Sequence, residues 1–173
     1  MIPQNTNATL IHQFLEVADR LRQIGDKVGK PEGITTQQWV ILLHLAGDDN
    51  MTYLQNNKQE KPLMAKELAE ALHTSRANIT NLVNVLIGKK LVIQIADNLD
   101  RRRKRLRLSA EGQKVVRRLE KQRSQYNDWL LTGYEEKEKL TVSKFMKSFL
   151  VTFDQPFGKK PKGASKAVRS KKA

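Results

Sequence analysis

The chain has 173 residues, enough for one domain with a short extension and too few for a second enzyme-sized domain. Its 32 Lys and Arg against 18 Asp and Glu leave a formal charge of +14, which favours nucleic acid or an anionic membrane surface as partner. The absence of cysteine excludes disulfides, thiolate nucleophiles, Cys-ligated zinc and thiol redox sensing, while the lack of a long apolar run or a signal-peptide pattern predicts a soluble, cytoplasmic chain with no membrane partner.

In chain order, a first helix is expected from Ala8 to Gly29. Its apolar side chains fall at Leu10, Phe14, Val17, Leu21, Ile24 and Val28, alternating steps of four and three. That 3.5-residue period suits a helix lying along other helices, of a second subunit or of the same chain. The segment from Gly29 to Gly33 breaks it around Pro31. A second helix opens at Thr35, with Gln38 completing a capping box, and runs through Trp39 to Ala46. Being apolar almost all round, it should be buried.

The stretch from Gly47 to Pro62 is polar and reads as an exposed connection that has room for a short strand. Leu63 to Leu72 carries helical patterning, with Glu67 near its start to complement the dipole. After a turn at His73 and Thr74, Ser75 caps a further helix that points Ile79, Leu82, Val83 and Leu86 inward. The other face of that helix shows Arg76, Asn78, Thr80, Asn81 and Asn84, hydrogen-bonding groups without a single acid. Such a face suits a groove reader: Asn pairs with adenine edges, Arg with guanine, Ser and Thr with either, and no carboxylate repels phosphate. A plain solvated helix usually mixes in Glu and Asp.

Leu91 to Ile95 forms a strand, Asp97-Asn98-Leu99-Asp100 supplies turn residues, and Arg101 to Leu108 returns as a second strand. In that return strand six of the first seven residues are cationic. Alternation puts Leu106 and Leu108 on one face and Arg105 and Arg107 on the other, a fixed row of charge suited to a polyanion. Taken alone, the run reads more readily as a solvated or disordered segment. Its neighbours decide otherwise, because helix, turn, helix and hairpin is the order of a winged helix-turn-helix.

Ser109 caps a long helix carrying Val115, Val116, Leu119, Tyr126, Trp129 and Leu130, interrupted near Thr132 and Gly133. A last helix carries Leu140, Val142, Phe145, Met146, Phe149, Leu150 and Phe153. With the heptad stripe of the first helix, these two suggest a helical dimerisation layer built from both chain ends. The expected fold is mostly α with a small β-hairpin. Its expected organisation is an N-terminal dimerisation helix (1–33), a DNA-binding lobe (34–108), C-terminal dimerisation helices (109–157) and a disordered basic tail (158–173). That tail holds seven Lys or Arg and no acid, which suits a nonspecific tether to DNA backbone.

Over about residues 8–155 the chain resembles the MarR family of winged-helix transcriptional regulators. The resemblance rests on Ile34 to Leu42, Glu67 to Leu72, Ser75 to Val83, and the run from Asp97 to Gly112 with Asp100-Arg101-Arg102 and Leu108-Ser109-Ala110-Glu111-Gly112. It implies a homodimer on a roughly palindromic operator, with Asp100 orienting the wing and Arg102 at its tip aimed at the minor groove. A narrow, negative minor groove attracts an Arg held on a rigid hairpin. Together the expected DNA-binding residues are Ser75, Arg76, Asn78, Thr80, Asn81, Asn84, Asp100, Arg101, Arg102, Arg103, Arg105 and Arg107. The resemblance also implies a small aromatic effector, with Phe14, Trp39 and His44 as candidates, although their residue types favour a plain core role over an effector site. Three departures stand out: Met64 replaces the usual Ser or Thr cap, Gly88 lies two places early, and the 47–62 connection is long.

The leading expectation is a cytoplasmic, nucleoid-associated repressor released by a ligand. The alternative is an architectural, weakly specific DNA binder without an effector. An enzyme finds no support in the motifs: there is no phosphate-binding Gly-rich loop and no His-Glu-x-x-His spacing, and His12, His44 and His73 are scattered. No metal or cofactor is expected.

Overall fold

The computed structural model describes residues 5–51, 62–98, 100–153 and 155–156. Helix α1 (Thr6–Gly29) is capped by the Asn5 side chain, which accepts from the amides of Asn7 and Ala8. A 3₁₀ turn (Lys30–Glu32) follows, then α2 (Thr36–Ala46), strand β1 (Leu63–Met64), α3 (Ala65–Ala71) and α4 (Arg76–Gly88). The hairpin β2 (Val92–Ala96) and β3 (Lys104–Leu108) leads into α5 (Ala110–Leu130) and α6 (Glu136–Thr152). Two compact units divide the chain between Tyr126 and Asn127.

In the first unit the three antiparallel strands run in the order β1-β3-β2, so the cationic strand is central. Register pairs Leu63 with Leu106, Val92 with Leu108 and Ala96 with Lys104. Leu106 and Leu108 are buried and Arg107 is exposed, as strand alternation requires. Side chains from every layer meet in one core: Ile41 and Leu42 of α2, Leu68 of α3, Ile79 and Leu86 of α4, Val92 of β2, and Val115 and Leu119 of α5. Fully burying a Leu or Ile contributes about 2 kcal/mol, so this cluster supplies the main drive to fold the lobe.

The Thr35–Gln38 capping box forms as its residue spacing demands, Thr35 N donating to Gln38 Oε1 at 3.0 Å. α2 joins α1 through Thr36, whose amide donates to Asp26 Oδ1 at 2.7 Å. The helical patterning expected from Leu63 onward needs a correction. Leu63 and Met64 are a strand, in which Leu63 pairs with Leu106 and is buried. Met64, lacking a capping oxygen, is compensated by Glu67, whose carboxylate accepts from the Met64 amide at 2.6 Å. Two places after Gly88, Lys90 takes a left-handed conformation, with φ 59°. Ser109 caps α5, accepting from the Gly112 amide at 2.9 Å.

α1 buries only its C-terminal end. Leu10, Val17 and Leu21 of the heptad stripe are exposed, while Val28 is in the core. In the second unit α6 buries no residue, and Leu140, Val142, Phe145, Met146 and Leu150 all face outward. Phe145 stacks on Phe149, which meets Phe153 edge to face. The basic tail from 158 onward and residues 52–61 of the long connection lie outside the described residues.

Candidate nucleic-acid interface

α4 begins because Ser75, in extended backbone, accepts from the Asn78 amide at 3.1 Å, and its apolar positions Ile79, Val83 and Leu86 then bind it to the core. Ser75, Arg76, Thr80, Asn81 and Asn84 are left exposed on the far side. Thr80 donates to the Arg76 carbonyl at 2.8 Å, which leaves its oxygen able to accept. Asn78 departs from the outward set: it is half-buried and its Nδ2 donates to Thr74 Oγ1 at 3.1 Å.

The wing is pinned from inside by two carboxylates. Asp97 accepts from the Asp100 amide at 3.1 Å, and Asp100 accepts from the Arg102 amide at 3.0 Å and pairs with Arg103 Nε at 3.2 Å. A backbone bond of 2.8 Å from Arg103 N to the Asp100 carbonyl closes the turn. These bonds hold the Arg101 and Arg102 backbone rigid while both side chains stand exposed. Arg101, Arg102, Arg107 and Arg76 form no ion pair among the described residues. Their charge is therefore available to an external anion.

Arg105 requires a correction. It belongs to the expected row of DNA-facing cations, yet its guanidinium is turned inward onto buried Asp97 and donates to the Pro62 carbonyl at 2.9 Å. A carboxylate at 4% exposure needs a cation beside it, and Arg105 is the cation the register brings there. Asp97 thus does more than make the turn; it holds the Arg105 guanidinium, which fastens the wing to the segment preceding β1. Sequence alternation placed Arg105 with Arg107 but carried no sign of a buried acid eight residues before it.

A cleft of about 420 Å³ opens between α1, α2 and the α3–α4 turn. Leu21, Val40, Leu72, Ile79 and Leu82 make its apolar wall, and Arg22, Gln37, Thr74 and Asn78 bring polar groups to it. None of Phe14, Trp39 and His44 lines it. Trp39 and His44 are buried core residues, with His44 Nδ1 donating to the Val40 carbonyl at 2.8 Å, and Phe14 is half-buried on α1. Sequence periodicity marks the cleft's leucines as core positions, which is why the cleft was not legible there.

Two ion pairs tie α5 to the lobe. Arg118 grips Glu32 with two bonds, 2.7 and 2.8 Å, and Arg123 pairs with Asp48 just beyond α2. The Arg118 guanidinium holds the Glu32 carboxyl below its ordinary value. For Asp48 burial pushes the pKa up, but the Asn50 amide and Arg123 together outweigh it and the net shift is down. Asp26 is lowered by the hydrogen bonds from Thr36.

A helix with an acid-free polar face, preceded by a capped helix and turn and followed by a rigid basic hairpin, defines a winged helix-turn-helix protein. Residues 32–103 match the model of the MarR family. Solved structures share the fold over nearly their whole length. MepR of S. aureus in complex with DNA is 21% identical with a TM-score of 0.72, over 86% of this chain and 99% of that one. A MarR protein from Peptoclostridium difficile is 15% identical with a TM-score of 0.74, over 89% and 93%. A MarR/EmrR family regulator from Acinetobacter sp. ADP1 is 19% identical with a TM-score of 0.72, over 88% and 100%. No curated protein matches the chain. The sequence match to the MarR family is thus confined to residues 32–103, and over the rest of the chain the likeness is one of fold.

Proposed function

We propose that the protein is a sequence-specific DNA-binding transcriptional regulator that acts as a homodimer. Ser75, Arg76, Thr80, Asn81 and Asn84 read base edges in the major groove, with Asn78 shaping the start of the helix. Arg102 reaches the minor groove, and Arg101, Arg103 and Arg107 contact phosphate. Asp100 positions Arg102, and Arg105 acts indirectly by holding the wing. The observation that carries this reading is the rigid presentation of Arg102, whose amide is bonded to Asp100 at 3.0 Å while its side chain stands exposed. The solved complex of MepR with DNA supports it by likeness of fold.

The second subunit covers the exposed apolar faces of α1 and α6. A stripe of Leu10, Val17 and Leu21 at coiled-coil spacing, and a separate one through Leu140, Phe145 and Leu150, is costly to leave in water. An isologous dimer then sets two reading helices about 34 to 36 Å apart on a near-palindrome. A small effector with an apolar body and a polar group occupies the 420 Å³ cleft and lowers DNA affinity, making the protein a repressor in the cytoplasm, at the nucleoid. The cleft supports this because Asn78 belongs to both its wall and the reading helix.

Selection of bound duplexes from a random-sequence library tests the reading. Enrichment of a palindrome with half-sites about one helical turn apart is expected. Recovery of no common sequence would support the architectural alternative.

A further inference from the structure

A second basic array lies at the end of the hairpin away from the wing tip. On α5, Lys114, Arg117 and Lys121 are spaced three and four residues apart, so they share one exposed face over about 10 Å of helix. With Arg118 and Gln122 they line a shallow depression of about 560 Å³. Two turns pack against the base of this helix and add Lys30, Lys89 and Lys90, all exposed. The Lys90 carbonyl accepts from the Ser109 hydroxyl at 2.6 Å, and a side chain added at Gly33 would meet the Lys89 ammonium at 3.2 Å.

The acids of this region do not neutralise it. Glu32 and Glu111 are both engaged by Arg118, and Glu111 has a further exposed, 3.7 Å contact with Lys114. Arg117 and Lys121 have no ion pair among the described residues. The pole is distinct from the reading surface. Val92 and Leu108 pair at its end of the hairpin and Ala96 and Lys104 at the wing end, about 14 Å of strand away. Lys89 and Lys90 likewise follow the opposite end of α4 from the Ser75 cap, about 20 Å along the helix.

We propose that this face is a second, sequence-independent contact for duplex DNA, engaging phosphates outside the segment read by α4 and the wing. The inference rests on the DNA-binding reading above. A small anion would need convergent, pre-set donors, whereas these are long exposed side chains spread over a shallow surface, which suits a line of charge. An acidic protein partner would need an apolar anchor, and the depression contains none. Its effect is to bend flanking DNA onto the lobe or to bridge a second segment.

The test uses the full chain and the variant Lys114→Gln/Arg117→Gln/Lys121→Gln. These side chains are exposed, so folding should survive. Affinity is measured against salt on two duplexes sharing one library-selected core, about 25 and about 60 base pairs long. Each neutralised phosphate adds about 0.9 to the log-log slope, so the wild type should show a slope roughly 2 to 3 steeper on the long duplex. The variant should lose that difference while keeping its short-duplex slope. A length difference that persists in the variant, or an equal loss on both duplexes, overturns the proposal. Failure of the wild type to bind either duplex overturns this proposal and the DNA-binding reading together, whereas normal binding to the short duplex with no length effect overturns this proposal alone.

Discussion

Arg105 and Asp97 form an ion pair at the root of the wing, with the carboxylate side chain 4% exposed and the guanidinium 16%. The same guanidinium holds the Pro62 carbonyl, so one residue links both strands of the wing to the chain entering β1. Removing one partner takes an opposite charge from the other in a largely desolvated place. Arg105→Met should therefore cost about 3 kcal/mol, and Asp97→Leu a similar amount. The double variant should cost clearly less than the sum. Urea denaturation of the three variants measures the coupling, and strictly additive costs would show that the pair is not coupled.

Gly112 sits in the first turn of α5 where the helix lies against the turn before β2. A Cβ there would come within 2.0 Å of the Leu91 carbonyl oxygen, which is backbone and already accepts from the Ser109 amide at 3.0 Å. Gly112→Ala should destabilise the lobe by about 2 kcal/mol or more, despite alanine's better helix propensity of about 1 kcal/mol. Gly88→Ala, at a helix position with open space around it, is the control and should be neutral or stabilising. Thermal unfolding of both variants gives the comparison.

Acid should loosen the attachment of α5 and the α1–α2 junction. Glu32, Asp48 and Asp26 are held below their ordinary values of 4.5, 3.8 and 3.8 in the folded chain. A depressed carboxylate stabilises the fold above its unfolded pKa and loses that contribution as pH falls through the folded value. Stability should thus be flat from neutral pH to about 5 and decline below about 4.5. Glu32→Gln should be less stable at neutral pH and show a shallower acid decline, as read from urea midpoints across pH.

Much of the fold was legible because it rests on local chemistry. The Thr35–Gln38 box, the Ser75 and Ser109 caps, the period-two strand and the 3.5-residue stripe of α1 each follow from side chains a few residues apart. What escaped depends on distant contacts. β1 is a strand because Leu63 meets Leu106, more than forty positions on, and Arg105 turns inward for Asp97 and Pro62. Lys90 takes a left-handed turn without being glycine, and the Leu91 amide donates to the Leu86 carbonyl at 2.9 Å beside it. The cleft was hidden for the same reason: its walls come from three separate helical segments.

Under the proposed reading, Arg102 and Arg107 divide reading from general attraction. Arg102→Ala should weaken binding to the selected site by about 1 to 3 kcal/mol and narrow its advantage over random duplex. Arg107→Ala should weaken both by similar factors and reduce the salt slope by about 1. Equal loss of specificity from the two variants would contradict this division.

The most direct measurement is the equilibrium affinity of the full chain for its library-selected duplex and for a scrambled duplex of equal length, across a salt series. A regulator reading bases through α4 and the wing should prefer the selected duplex by about 10³ or more, with the preference surviving as salt rises. A ratio near one at every salt concentration would contradict sequence-specific recognition and leave a backbone-binding protein in its place.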